Sequence, residues 1–230
     1  MNDQWFPAES GRWYSNYGWS LISDHTLTLE GGALCFWKDY SYFGHQPGYE
    51  KDPKLCGHLR FPKTAYIWSS TSEAGSAEIW ADVIAPEGLV NAYYGSLRLG
   101  GPQTNIEDSI TVNSGTLMLG SADGTIPTTI KVPVYVVGGN SKLRLDVAGS
   151  FTTHEATINL EDVGGYPAKV QMNVDDSVWE ASVDGVTLQR GTWGSSGSGA
   201  EHVDDAHFLG TGVLTVLHDQ LEKPTILILR

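Results

Sequence analysis

The 230-residue chain is acidic: 14 Lys and Arg against 27 Asp and Glu give a net charge of −13. That sign repels phosphate backbones and anionic lipid, which argues against nucleic acid and charged membrane surfaces as partners. With 27 Gly and no apolar run long enough to span a bilayer, the composition is that of a turn-rich β protein large enough to bury its own core.

The chain opens at Met1–Ser10 on a polar, acidic stretch with neither the basic nor the apolar part of an export signal. Residues 1–78 are aromatic-rich and repeatedly broken by turn signals such as Asn16-Tyr17-Gly18, Gly31-Gly32 and Pro47-Gly48. Within them, Leu27 and Leu29 alternate with Thr26, Thr28 and Glu30 as a half-buried strand does. Trp5, Trp13, Trp19, Trp37, Tyr40 and Tyr42 form the densest aromatic set. They read either as the core of this part or as a platform on which sugar rings stack, with Asn16, Asp39 and Gln46 holding hydroxyls. The two cysteines, Cys35 and Cys56, are too few for a thiolate metal cluster. Paired, they would close a loop and contribute on the order of 3 kcal/mol; in a reducing compartment they are two thiols.

From Ile79 the texture changes, which places a boundary between 1–78 and 79–230. Gly95-Ser-Leu97-Arg-Leu99-Gly, Gly115-Thr-Leu117-Met-Leu119-Gly and Ser141-Lys-Leu143-Arg-Leu145 are versions of one phrase, its central Leu recurring after 20 and then 26 residues. A phrase repeated at such a period predicts an all-β solenoid, whose rungs bury their apolar faces only by stacking; a meander or sandwich is the alternative. Alternation places Leu inward and Ser, Arg, Thr or Met outward. Gly191–Gly199 reads as a flexible Gly/Ser loop, and the last strands are expected at 212–216 and 225–229.

Two acidic pairs, Asp175-Asp176 and Asp204-Asp205, offer carboxylates for acid–base hydrolysis. Adjacent strand residues face opposite ways, so a working pair would take one Asp from each stretch. His202, Asp204, Asp205 and His207 are a possible divalent-metal set, although a strand would split them between two faces. No nucleotide loop, zinc-protease helix motif or dinucleotide fingerprint is present, so no cofactor is expected.

The stretch Ile84-Ala-Pro-Glu-Gly88-Leu-Val through Gly95-Ser-Leu-Arg-Leu-Gly-Gly101, followed by Ile110-Thr-Val-Asn-Ser-Gly115-Thr-Leu-Met-Leu-Gly120, resembles the autotransporter-associated β-strand repeat. The segment from Val183 through Asp204-Asp-Ala-His-Phe-Leu-Gly-Thr-Gly-Val-Leu-Thr-Val216 resembles the ending of large repeat-bearing bacterial surface proteins. The resemblance implies a right-handed parallel β-helix passenger, exported and surface-exposed. Adhesion to glycans or glycoproteins is then expected more than catalysis, with a secreted Asp-dependent hydrolase as the alternative. It also makes Asp205 and His207 parts of a structural ending, and an extracellular setting favours pairing of Cys35 with Cys56. The chain departs from the family in being short and in lacking an export signal and a C-terminal membrane barrel.

Overall fold

The computed structural model describes residues 6–7, 13–15, 26–30, 33–36, 54–55, 57–69, 77–152 and 155–219. Among these every regular element is a strand, and the strands stack in parallel into a β-solenoid of about five turns. Each turn has three faces.

The first face runs through Trp13–Ser15, Ala33–Phe36, Ala65–Ser69, the start of Leu89–Leu99, the start of Ile110–Leu119, Val134–Val137, Thr157–Glu161 and Glu180–Val183. The second runs through Lys54–Leu55, Ala77–Ile79, the ends of the same two long strands, Ser141–Leu145, Lys169–Met172 and Phe208–Gly210. The third is shorter. Thr26–Thr28, His58–Arg60 and Asp82–Ile84 pair in it, and single bridges Ala85–Ile106 and Ile130–Phe151 continue it. There the buried Gln103 side chain acts as a piece of backbone, accepting from Val83 N and donating to the Ala81 carbonyl.

The repeated phrase is the stacking register itself. Leu97 pairs with Leu117, Leu117 with Leu143, Leu143 with Val170 and Val170 with Phe208, all buried. A second column, Leu99, Leu119, Leu145 and Met172, lies two residues on, so both point inward from one pleat. Each fully buried aliphatic side chain in such a column stabilises the fold by about 1.5–3 kcal/mol. The ladder also crosses the 78/79 position without a break, since Leu89 pairs with Ala65 and Leu97 with Ala77.

The outward row of the second face departs from expectation. Glu78, Ser96, Arg98, Thr116 and Met118 point away from the core yet are buried. After Leu119 the chain folds back along the outside of this face, and Ala122 N donates to the Glu78 carboxylate. The alternation rule gives direction, not coverage, and so it missed this second layer.

Two glycines make the tight corners possible. Gly88 has φ +87°, and a Cβ there would stand 2.5 Å from the Ser109 carbonyl oxygen of the next rung. Gly210 has φ +90° and would press a Cβ against the Met172 carbonyl.

The C-terminal end is closed by its own sheet. Leu214–Val216 lies parallel on Asp176–Val178 and antiparallel to Gly191–Gly194, which pairs in turn with His202–Val203. Gly191–Gly199 is therefore not a free loop. Its first four residues are a strand, and Ser195, Ser196 and Ser198 form a hydrogen-bonded turn. The strand expected at 212–216 is present as Leu214–Val216; the one expected at 225–229 lies outside the described residues.

Candidate functional site

The exposed side of the first face carries one continuous row. Tyr66, Val90, Thr111, Tyr135, Asn159 and Ser182 occupy the same register position on six successive rungs. Their neighbours along each strand, such as Leu89, Ile110, Val134 and Ile158, are buried, so the pleat turns the row outward. Tyr66 is 46% exposed, and the other five are partly exposed. Rungs lie about 4.8 Å apart, which separates the two tyrosines by about 14 Å. The polar end is ordered: Ser182 Oγ donates to Asn159 Oδ1 at 2.9 Å, and Asn159 Nδ2 donates to Thr157 Oγ1 at 3.3 Å.

Tyr66 and Tyr135 did not stand out in the sequence. The available signal was parity: each is an aromatic at an outward position of an alternating strand, Ala65-Tyr-Ile and Val134-Tyr-Val. Of the aromatic set the sequence did single out, Trp5, Trp19, Trp37, Tyr40 and Tyr42 lie outside the described residues, and Trp13 begins the strand that pairs with Leu34. Cys35 lies in the strand Ala33–Phe36, and Cys56 is outside the described residues.

In the acidic pairs, each Asp holds backbone. Asp175 Oδ1 accepts from Val213 N at 2.9 Å. Asp176 is buried and accepts from Ser150 N at 2.9 Å and Ser177 N at 2.8 Å. Burial pushes its pKa up to about 6, against the pull of these N–H groups and that of Gly149. Asp205 Oδ1 accepts from Ser196 N at 2.7 Å.

Asp204 and His207 do meet, with a third residue absent from the sequence reading. His207 Nδ1 is 2.7 Å from Asp204 Oδ2, and its Nε2 is 3.3 Å from both oxygens of Asp162. Asp162 also accepts from Ala168 N, and its own N–H donates to Asp184. Burial pulls the His207 pKa down, but hydrogen bonds and charge from Asp204 and Asp162 outweigh it and hold it above the ordinary histidine value. His202 is elsewhere, stacked on Trp193 at 4.6 Å. The four residues His202, Asp204, Asp205 and His207 thus do not converge, and among the described residues no group of three or more His, Cys, Asp or Glu is arranged to hold a metal ion.

Among the described residues no helix is long and apolar enough to cross a membrane. No family model matches the chain, and no curated protein or solved structure is significantly similar to it.

Proposed function

We propose that the chain is a non-catalytic binding module of an exported or surface-exposed protein, and that the outer tyrosine row holds an extended, neutral glycan. The row itself carries this reading. Its backbone is fixed by parallel ladders between rungs, closed at Ser182 by an antiparallel pair with Thr187, and it sets two aromatic side chains apart with hydroxyl and amide groups beyond them. A pyranose stacks an apolar face on an aromatic ring and offers hydroxyls to Thr, Asn and Ser. The rung spacing is close to the advance per residue of an extended glycan, so one sugar fits each rung. The net charge of −13 favours neutral sugars over uronic or sulfated ones. Because Asp175, Asp176, Asp204 and Asp205 each hold backbone N–H groups, binding is favoured over Asp-dependent hydrolysis.

The test is calorimetric titration with neutral β-linked oligosaccharides of two to six sugars, with chain ends assayed in parallel. Affinity should rise with length up to the four rungs from Tyr66 to Tyr135, and Tyr66→Ala or Tyr135→Ala should weaken it at least tenfold. Binding unaffected by either substitution refutes the row as the site. New chain ends that vanish in Asp204→Asn or Asp175→Asn would make the protein a hydrolase.

A further inference from the structure

The contact between His207 and two carboxylates ties the last strand of the second face to the corner of the rung beneath it. His207 immediately precedes Phe208–Gly210. Asp204 ends the excursion that carries the Gly191–Gly194 and His202–Val203 strands, and Asp162 follows the rung strand Thr157–Glu161. Asp204 is itself fixed, because Ala206 N and His207 N donate to it while its own N–H donates to the Gly194 carbonyl.

An ionised carboxylate only accepts hydrogen bonds, and a neutral imidazole has one donor nitrogen and one acceptor. With a carboxylate facing each ring nitrogen, both nitrogens must donate, and only the imidazolium can do that. His207 has 13% side-chain exposure, so water does not readily take the place of a lost partner. We propose that His207 is a doubly anchored imidazolium that latches the C-terminal cap onto the solenoid, and that the latch loosens when this one proton is lost.

Of the other charged groups near it, Lys169 holds the neighbouring register position on the rung beneath, one residue before Val170, which pairs with Phe208 and donates its N–H to the His207 carbonyl. Asp184 lies behind Asp162, receiving its N–H, and Asp205 is turned to Ser196 N. A second contact, His218 Nδ1 to Glu180 Oε1 at 2.8 Å with His218 stacked on Trp179, fastens the end of the cap to the last rung of the first face. It sets one carboxylate against one nitrogen, so neutral His218 still satisfies it by donating from Nδ1. Near the same end Asp219 receives the Arg190 N–H. The pH response is therefore assigned to His207, and Asp162 is the residue that creates the demand for the second proton.

Hydrogen exchange of the full chain, corrected for the intrinsic pH dependence of exchange, tests this. Protection at 162–168 and 204–210 should fall, by at most about tenfold per pH unit, as pH rises from the pKa of His207 in the opened segment to its raised value in the latched one, and should level off above that. Asp162→Asn should abolish that pH dependence while keeping the segments protected, since Asn can donate to a neutral Nε2 and still accept from Ala168 N. Nitrogen-15 spectra of wild-type His207 at neutral pH should show both ring nitrogens protonated, a reading that needs no variant to fold. A neutral tautomer at neutral pH, or the same pH dependence in Asp162→Asn as in wild type, overturns the proposal.

Discussion

Arg98 and Asp146 stand 48 residues apart in the chain and 2.7 Å apart in space, two rungs along the solenoid axis. The guanidinium also donates to the Gly120 carbonyl at 2.9 Å, so one side chain joins a rung, the returning outer segment and a later rung. Asp146 is further held by Arg144 at 2.8 Å and Asn173 at 2.7 Å.

Both partners are largely buried, with side-chain exposures of 7% and 14%. Arg98→Ala should therefore cost about 3–5 kcal/mol, because it leaves a buried acceptor and carboxylate short of donors. Arg98→Met together with Asp146→Leu should cost clearly less than the single change. Urea midpoints of the three proteins check the order; a single substitution no worse than the double would contradict it.

The Leu97–Leu117–Leu143 column makes a core prediction. Leu117→Ala removes the middle of the stack and leaves a cavity between two rungs that backbone ladders hold in place. The expected loss is about 3–5 kcal/mol, read as a shift in thermal midpoint. Met118→Leu, on the opposite side of the same strand, should cost less than about 1.5 kcal/mol because it conserves volume.

Gly88→Ala should destabilise by on the order of 1–3 kcal/mol. The strain has two sources, a left-handed φ of +87° and a Cβ 2.5 Å from a backbone oxygen of the next rung. Gly124→Ala shares a positive φ but has open space around it, so it should cost less. Equal losses at the two sites would show that φ alone matters.

Stability should peak on the acid side of neutrality, and each titration gives its own sign. Burial raises the Asp146 pKa, but hydrogen bonds from Asn173, Arg144 and Arg98 with the Arg98 charge bring it below 3.8 overall. Its contribution is present above the unfolded value and is lost as pH falls through the folded one. Asp176 is raised from 3.8 to about 6, so its protonated form is the favoured folded one. That contribution, about 3 kcal/mol at most, is lost as pH rises from the unfolded to the folded value. His207 is raised above 6.5 and adds a further loss as pH rises through its folded pKa. Thermal midpoints measured across the acid and neutral range should therefore fall on both sides of a maximum between the Asp146 and Asp176 titrations. A maximum at or above neutral pH would mean that Asp176 is not the buried acid described here.

The repeat was readable in the sequence because Leu97, Leu117 and Leu143 are the same residue type in the same short phrase. The rungs of Val134–Val137 and Thr157–Glu161 were harder to see, since their inward residues change identity from rung to rung while keeping only their apolar character. Asp162 was invisible for a different reason. Its partner His207 is 45 residues away, and the excursion through the cap lengthens that interval beyond any repeat in the sequence. Arg98 was correctly placed on the outer side of its strand, but nothing local announces that a later segment covers it.

The ladder that aligns the rungs also decides how the molecule responds to force. Successive first-face pairings from Ile110 through Val134 to Ile158 repeat every 24 residues, so each rung stores about 80 Å of contour when drawn out. Among the described residues, a pull applied at Asp219 must break the His218–Glu180 contact and then the pairing of Leu214–Val216 with Asp176–Val178 and Gly191–Gly194 before rungs can peel away one after another. Such a molecule behaves as a coiled tether with a lock at one end: stiff until the cap yields, then lengthening in near-equal steps that keep the remaining rungs folded.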